Sequence, residues 1–424
     1  MTAIAHRIIA ASALLYAALA AAGIAQAAPV TDLSQGQTGV IEFDSITPTN
    51  IYTFVTKQAS PTVTLTATLT LPDGVSGKVP AMILAHHCGG ITTSVTNLAT
   101  MLNGIGIATF IPDSFKPRGY PSGVCTGSTL NNTAAIADNL YALKLLATHP
   151  NIDANRIGII GQSYGGGAVY TTAFEEARKA VIDGSLKFAA HIGMYPTGCS
   201  SRYLSDNMTG APMLLLLGGA DTWTPAGPCM DFSLFIRARG TPTTTIVYPG
   251  ALHAWDTPGQ YTYNANWSHI ENCYYQFRMD TSQNIQYDTG EVLAGSTAVN
   301  NYLSRCKQYG ASQGPDAATK ATSYADITAF LARVFKLSNV ALPASQPDRI
   351  FNYLEAAYPS HLAPAGAASQ TASGYYFRHY PTTNSYIATK GDGQVYYYAP
   401  SSTASPLPIG GEASWLNTAG QHDF

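Results

Sequence analysis

Charged side chains are scarce. The 424 residues include 22 Lys and Arg and 25 Asp and Glu, 11% in all, less than half the roughly 25% of an average soluble domain. A formal net charge of −3 provides no basic field to draw nucleic acid or an anionic membrane. Scarce charge beside 38 Gly, 25 Pro and 26 Tyr argues against coiled coil, disorder and a highly charged cytosolic surface. There is no CxxC pair and no His/Cys cluster, so no metal site is expected, and no cofactor. No long internal repeat occurs, and beyond the N-terminus no segment is apolar enough for long enough to span a bilayer.

What is present begins with an export signal. His6 and Arg7 precede an apolar run from Ile8 to Ile24, and Ala25-Gln26-Ala27 supplies a small-x-small cleavage pattern. Residues 1–27 are expected to be a cleaved signal peptide, which makes the mature protein secreted or periplasmic. Six cysteines remain, an even count that favours disulfides in an exported chain. Sequence order suggests Cys88–Cys125, Cys199–Cys229 and Cys273–Cys306.

The length suits a large catalytic domain plus an appendage. Thr-rich alternation within 28–75, clearest from Val63 to Leu71, predicts antiparallel edge strands with one buried face. From Pro80 the pattern changes to short continuous apolar runs: Ala81–Ala85, Ile105–Ile111, Ile157–Ile160, Met213–Leu217 and Thr244–Tyr248. Such runs predict parallel strands buried on both faces. Helical spacing is expected over 131–148, 165–181, 229–238 and 323–337. The alternation implies an α/β class, a doubly wound, mostly parallel sheet over 28–338. The polar, Tyr- and Asn-rich segment 256–318 reads as an irregular insertion stapled by Cys273 and Cys306. A Pro-containing linker spans 339–347. Residues 348–424 read as a small C-terminal α+β module, with a helix over 348–358 and a β-meander of three strands at 375–380, 385–389 and 395–398.

The chemistry centres on Gly161-Gln162-Ser163-Tyr164-Gly165. G-x-S-x-G is weak alone, and the chain contains a second copy, Gly310-Ala311-Ser312-Gln313-Gly314. The second copy follows no apolar strand and reads as a loop. The first follows the strand Arg156–Ile160 and opens a helix, as a nucleophile elbow requires. There the helix dipole favours developing negative charge at Ser163. A serine hydroxyl needs a base. His253, after the last parallel strand, is that candidate. The orienting acid should follow a strand between them, and Asp221 stands at the carboxyl end of Met213–Leu217, where α/β sheets place their sites. Asp231 and Asp256 are competitors. For the oxyanion, Tyr164 offers one backbone N–H, and the loop His86-His87-Cys88-Gly89-Gly90 the other, with Cys88 favoured over Gly89 by position. His86 should pack beneath the site, with His87 facing substrate.

Together, His86–Gly90, Pro112–Phe115 with Arg118, Gly119 and Cys125, Gly161–Gly167, Gly219–Pro225 and Pro249–Asp256 resemble the dienelactone hydrolase family of α/β-hydrolases, over about residues 60–338. The resemblance implies ester or lactone hydrolysis through an acyl-enzyme. Trp223, inside a matching stretch, is with His87 a substrate-binding candidate. Founding members use cysteine as nucleophile where this chain has Ser163, and Glu where it has His87, which points to a broader carboxylesterase. The C-terminal module is similar to modules on exported bacterial proteins. The expected function is an exported serine hydrolase cleaving a small ester or lactone by a Ser-His-Asp mechanism. Alternatives are a polyester depolymerase acting on polymer, an amidase or peptidase with the same triad, and a noncatalytic surface- or carbohydrate-binding protein on this fold.

Overall fold

The continuous apolar runs form the middle of one eight-stranded sheet. The computed structural model describes residues 28–338 except 75, 122, 126–129, 206 and 280, and beyond these residues 340, 351, 355, 369–370, 376–381, 385–389 and 395–398. The expected signal peptide, nearly all of the linker and most of the C-terminal helix lie outside the described residues.

In chain order the first nine strands are β1 (Gly39–Ile46), β2 (Thr62–Thr70), β3 (Val79–Ala85), β4 (Ala108–Pro112), β5 (Ile152–Gln162), β6 (Ala190–Met194), β7 (Ser201–Leu204), β8 (Met213–Gly218) and β9 (Thr243–Tyr248). All but β7 join the sheet, in the order β1-β2-β4-β3-β5-β6-β8-β9. The pairs β1/β2 and β2/β4 are antiparallel; every pairing from β4 to β9 is parallel. Side chains alternate across the parallel strands. Ala81, Ile83, Phe110, Ile159 and Leu215 feed one apolar cluster, and Met82, Leu84, Ile160, Leu214 and Leu216 feed the other. A two-faced core removes polar alternation, which is why these strands read as unbroken apolar runs. In β2, by contrast, Leu65, Ala67 and Leu69 point inward and the intervening threonines outward. This order and direction define the α/β-hydrolase fold.

Eight α-helices occur among the described residues up to 338: α1 (Ile51–Val55), α2 (Thr93–Gly104), α3 (Asn132–Leu146), α4 (Tyr164–Thr171), α5 (Glu175–Val181), α6 (Ala226–Arg237), α7 (Gly295–Cys306) and α8 (Ala317–Phe335). Asn131 caps α3 through the Thr133 amide. The helix contacts β1, β3, β4, α4 and α5, so it is buried almost all round.

Several expectations are corrected. The strand expected from Ile105 begins at Ala108, because Ile105 and Gly106 complete the turn that ends α2, with Gly106 at φ +85°. The helix expected over 165–181 is two, α4 and α5. Between them Phe174 takes an extended conformation, buries its ring completely and bridges to Met208. Helices α6 and α8 start three and six residues earlier than expected, α8 at the Asp316 cap. Strand β6 was not anticipated, since His191 and Gly193 interrupt its apolar run.

The insertion 256–318 is not irregular. Strand β10 (Thr262–His269) pairs with β14 (Gln308–Gln313), while β11 (Tyr275–Arg278), β12 (Gln283–Gln286) and β13 (Val292–Leu293) extend a second sheet from β7. Polar side chains on both faces conceal these strands from periodicity. In the C-terminal module, strands 376–380, 385–389 and 395–398 pair antiparallel as expected, with an added strand at 369–370. Arg378 and Tyr380 both reach Glu355, at 2.7 and 2.9 Å, tying a helical residue to the meander.

The three disulfides are Cys88–Cys125, Cys199–Cys229 and Cys273–Cys306, with Cα–Cα separations of 4.8, 4.8 and 5.3 Å. Among the described residues no helix is long and apolar enough to cross a membrane.

Candidate active site

Strand β5 ends in a turn that only small flanking residues permit. Ser163 sits at φ 51°, ψ −112°, a region costly for any L side chain. A Cβ on Gly161 would lie 2.5 Å from the Gly165 carbonyl, and one on Gly165 would collide with the Ala85 carbonyl oxygen. The Ser163 amide donates to the Met194 carbonyl at 2.9 Å, and its carbonyl accepts from Gly167 and Thr197. The hydroxyl is thus fixed above the carboxyl ends of β5 and β6.

His253 follows β9, with Ala254 at φ 58° turning the chain away. Its Nε2 lies 3.0 Å from Ser163 Oγ and its Nδ1 2.8 Å from Asp221 Oδ2. Asp221 follows β8. Its Oδ1 accepts the Trp223 and Thr224 amides, each at 2.8 Å, and its Oδ2 accepts the Thr224 hydroxyl at 2.8 Å. Thr224 Oγ1 is also 3.0 Å from His253 Nδ1. With the Nδ1 proton directed to the carboxylate, Nε2 is left free to accept from the serine. All three side chains are buried. The competing carboxylates lie elsewhere. Asp231 is on α6, 56% exposed and 3.9 Å from Arg202. Asp256 is engaged by Gln162 and Tyr195.

Beside the serine, Tyr164 opens α4. On the opposite wall the Gly89 amide donates to His87 Nδ1 at 3.0 Å, so it is already committed. The Cys88 carbonyl accepts from Val124 at 2.6 Å, and the Cys88–Cys125 bridge binds the same two loops. His86 is buried against Phe115, where Nε2 accepts the Ser114 amide at 3.1 Å and Nδ1 donates to the His87 carbonyl at 3.0 Å. His87 Nε2 donates to Thr92 Oγ1 at 2.8 Å. Burial, then the neighbouring His86 and His253, depress the His87 pKa to about 4, leaving a neutral imidazole at the wall. Each ring nitrogen of the two histidines is bonded to a backbone group or to the Thr92 hydroxyl, and no cluster able to hold a metal occurs among the described residues.

These groups surround a cavity of about 290 Å³ lined by Ser163, His253, His87, Cys88, Trp223 and Gln313, among others. No Lys, Arg, Asp or Glu is among the described lining residues. Trp223 lies 5.1 Å from the His253 ring and stacks on Trp267 of β10 at 4.3 Å. Two wider clefts, of about 980 and 950 Å³, open elsewhere and contain none of these side chains.

The second G-x-S-x-G is a strand, not the expected loop. Ser312 lies in β14, opposite Tyr263, and meets the Tyr261 hydroxyl at 3.1 Å. Gly310 leaves room for the Tyr263 side chain, and Gly314 for the Tyr261 backbone. The Ser312 amide donates to the Thr222 hydroxyl at 3.1 Å.

Sequence reasoning missed Thr224, Gln313, Trp267 and the buried Gln162–Asp256–Tyr195 group. It also missed Glu271, which is buried and accepts the Gly198 amide at 2.8 Å; burial lifts its carboxyl to about 7. Thr224 had a readable signal, since its hydroxyl and amide both bond an aspartate three residues earlier. The others acquire their roles only from tertiary neighbours.

The doubly wound sheet with a Ser, a His and an Asp in contact at its carboxyl end is that of an α/β-hydrolase. Residues 65–276, half of the chain, match the dienelactone hydrolase family model, and the chain belongs to that family. It is a carboxylic ester hydrolase. No curated protein matches it in sequence. Among solved structures it is similar to a protein assigned as a dienelactone hydrolase from Klebsiella pneumoniae, with 19% identity over 51% of this chain and 88% of that one and a TM-score of 0.39. It is also similar to a thermophilic esterase from Thermogutta terrifontis, with 16% identity over 46% and 81% of the two chains and a TM-score of 0.37.

Proposed function

We propose that the protein is an exported serine esterase acting on small, uncharged carboxylic esters or lactones. The observation that most supports this is the unbroken path from Ser163 Oγ through His253 to Asp221, with steps of 3.0 and 2.8 Å, at one wall of the cavity. His253 Nε2 takes the serine proton as Oγ attacks the carbonyl carbon, and the Asp221 carboxylate stabilises the imidazolium. The Tyr164 and Cys88 amides receive the oxyanion. His253 then protonates the departing alcohol and activates the water that releases the acid. The absence of charge among the described lining residues favours a neutral substrate, and Trp223 gives it an apolar wall. Three disulfides support residence outside the reducing cytosol.

Ser163→Ala is expected to lower kcat on a p-nitrophenyl ester by about a million-fold, the scale seen when a triad serine is removed. A fluorophosphonate should label Ser163 alone. Ser312→Ala should leave turnover unchanged. Full activity in the Ser163 variant, or inactivation by the Ser312 substitution, would sink the reading.

A further inference from the structure

Beneath the Ser163–His253 pair lies a second carboxylate that takes no part in the proposed proton path. Asp256 is almost fully buried. Its Oδ1 accepts the Tyr195 hydroxyl at 2.5 Å and its Oδ2 accepts Gln162 Nε2 at 2.5 Å. Neither partner is remote from the chemistry. Gln162 immediately precedes Ser163. Tyr195 is held at φ 37° just past β6 and sets its ring edge-on to the His253 imidazole, with centroids 4.8 Å apart and planes at 65°. Its carbonyl oxygen lies 3.2 Å from the Thr224 hydroxyl, and the residue before it, Met194, accepts the Ser163 amide. Asp256 itself is three residues past His253. One carboxylate therefore joins the ends of β5 and β6 to the loop after β9. Those three segments carry the serine, the acceptor of its amide and the imidazole.

We propose that Asp256 is a positioning residue for the ester hydrolysis: by holding Tyr195 and Gln162 it keeps the His253 ring aligned with Ser163 Oγ. This rests on the roles given to Ser163 and His253 above. The site calls for a carboxyl group because two buried donors converge on it, one on each oxygen. Burial, and then the Asp256 charge, hold the Tyr195 hydroxyl pKa far above its ordinary value, so the phenol stays a donor. Tyr195 presents only its ring to His253, so the group acts through packing and transfers no proton. Removing the carboxylate would leave two donors buried without partners and free the ring that backs the imidazole.

The test compares Tyr195→Phe, Asp256→Ala, Asp256→Asn and the Tyr195→Phe/Asp256→Ala pair with wild type and Ser163→Ala. All are full-length chains assayed on p-nitrophenyl acetate. Rates are expressed per site labelled to saturation by a fluorophosphonate, so loss of folded protein cancels; Ser163→Ala, which offers no such site, is compared per mole of folded protein. Tyr195→Phe keeps the edge contact and loses one oxygen, so it decides the question even where Asp256→Ala folds poorly. Tyr195→Phe and Asp256→Ala should each lower kcat by about 10- to 100-fold, the cost of small misplacements of reacting groups, with KM near wild type. The pair should be no worse than Asp256→Ala alone. Asp256→Asn should recover most of kcat, because its oxygen still accepts from Tyr195 and the Gln162 amide can turn over to accept from its nitrogen. Unchanged kcat per labelled site in Tyr195→Phe and Asp256→Ala would overturn the proposal while Ser163→Ala stays inactive. Activity in Ser163→Ala would instead overturn the serine reading itself.

Discussion

Thr224 is the side chain whose loss would alter least and report most. Its hydroxyl donates to Asp221 Oδ2, lies 3.0 Å from His253 Nδ1 and nears the Tyr195 carbonyl. Thr224→Val keeps the shape and deletes the oxygen. Asp221 then loses one of its donors, and kcat should fall by about tenfold, the value of one net hydrogen bond of roughly 1 kcal/mol or slightly more. KM and melting temperature should stay near wild type. A fall in KM with no change in kcat on p-nitrophenyl acetate would contradict this. At this scale the meeting of Ser163, Asp221 and His253 was legible because each follows a strand readable from its apolar run. Tyr195, Gln162 and Glu271 were not. A tyrosine after a strand or a glutamate in a polar segment carries no sign of what it will touch.

Elements were legible where burial was two-sided and continuous. β3, β8 and β9 fall within two residues of expectation, since a run of branched side chains has few other uses than a central strand. β6 was hidden by His191 and Gly193, and the break between α4 and α5 by Phe174, whose burial is a tertiary event. Strands β10 to β14 were invisible because small sheets with polar side chains on both faces leave no period to read. Yet β10 brings Trp267 onto Trp223, and the residue after β14's Ser312 lines the cavity. The loop pair 86–90 and 120–125 depends on a covalent tie and on the Val124–Cys88 bond. Replacing Cys88 and Cys125 together by serine should lower the melting temperature, since a native disulfide contributes about 2–4 kcal/mol. It should also depress kcat beyond the loss of folded protein, because the Cys88 amide proposed as the second oxyanion donor sits on the freed loop. A variant that melts lower but turns over p-nitrophenyl acetate at the full rate per labelled site would separate the bridge from the chemistry.

For the molecule as a whole, Glu271 sets a pH dependence of stability. Its carboxyl rises from 4.5 to about 7 on burial, so the folded protein holds a proton that the unfolded chain has released. Stability from this group is fully present below about pH 4.5, declines between 4.5 and 7 and is flat above. The loss is on the order of 3 kcal/mol. His87 works in the opposite sense. Its pKa falls from 6.5 to about 4, so stability rises with pH across that interval. Subtracting the melting curves of Glu271→Gln from those of wild type isolates the first effect. The variant should keep the Gly198 bond and gain over wild type as pH passes from 5 to 8. An equal difference at both pH values would remove Glu271 as the cause.

The cystine in the cavity wall has a further consequence for where the enzyme can work. In a compartment that keeps thiols reduced, Cys88 and Cys125 would be two separate thiols and the loops they join would be held only by noncovalent bonds. The newly made chain would carry its serine, histidine and aspartate with one wall slack. Hydrolysis would then be slow until oxidation, and the esters of a reducing compartment would be largely spared.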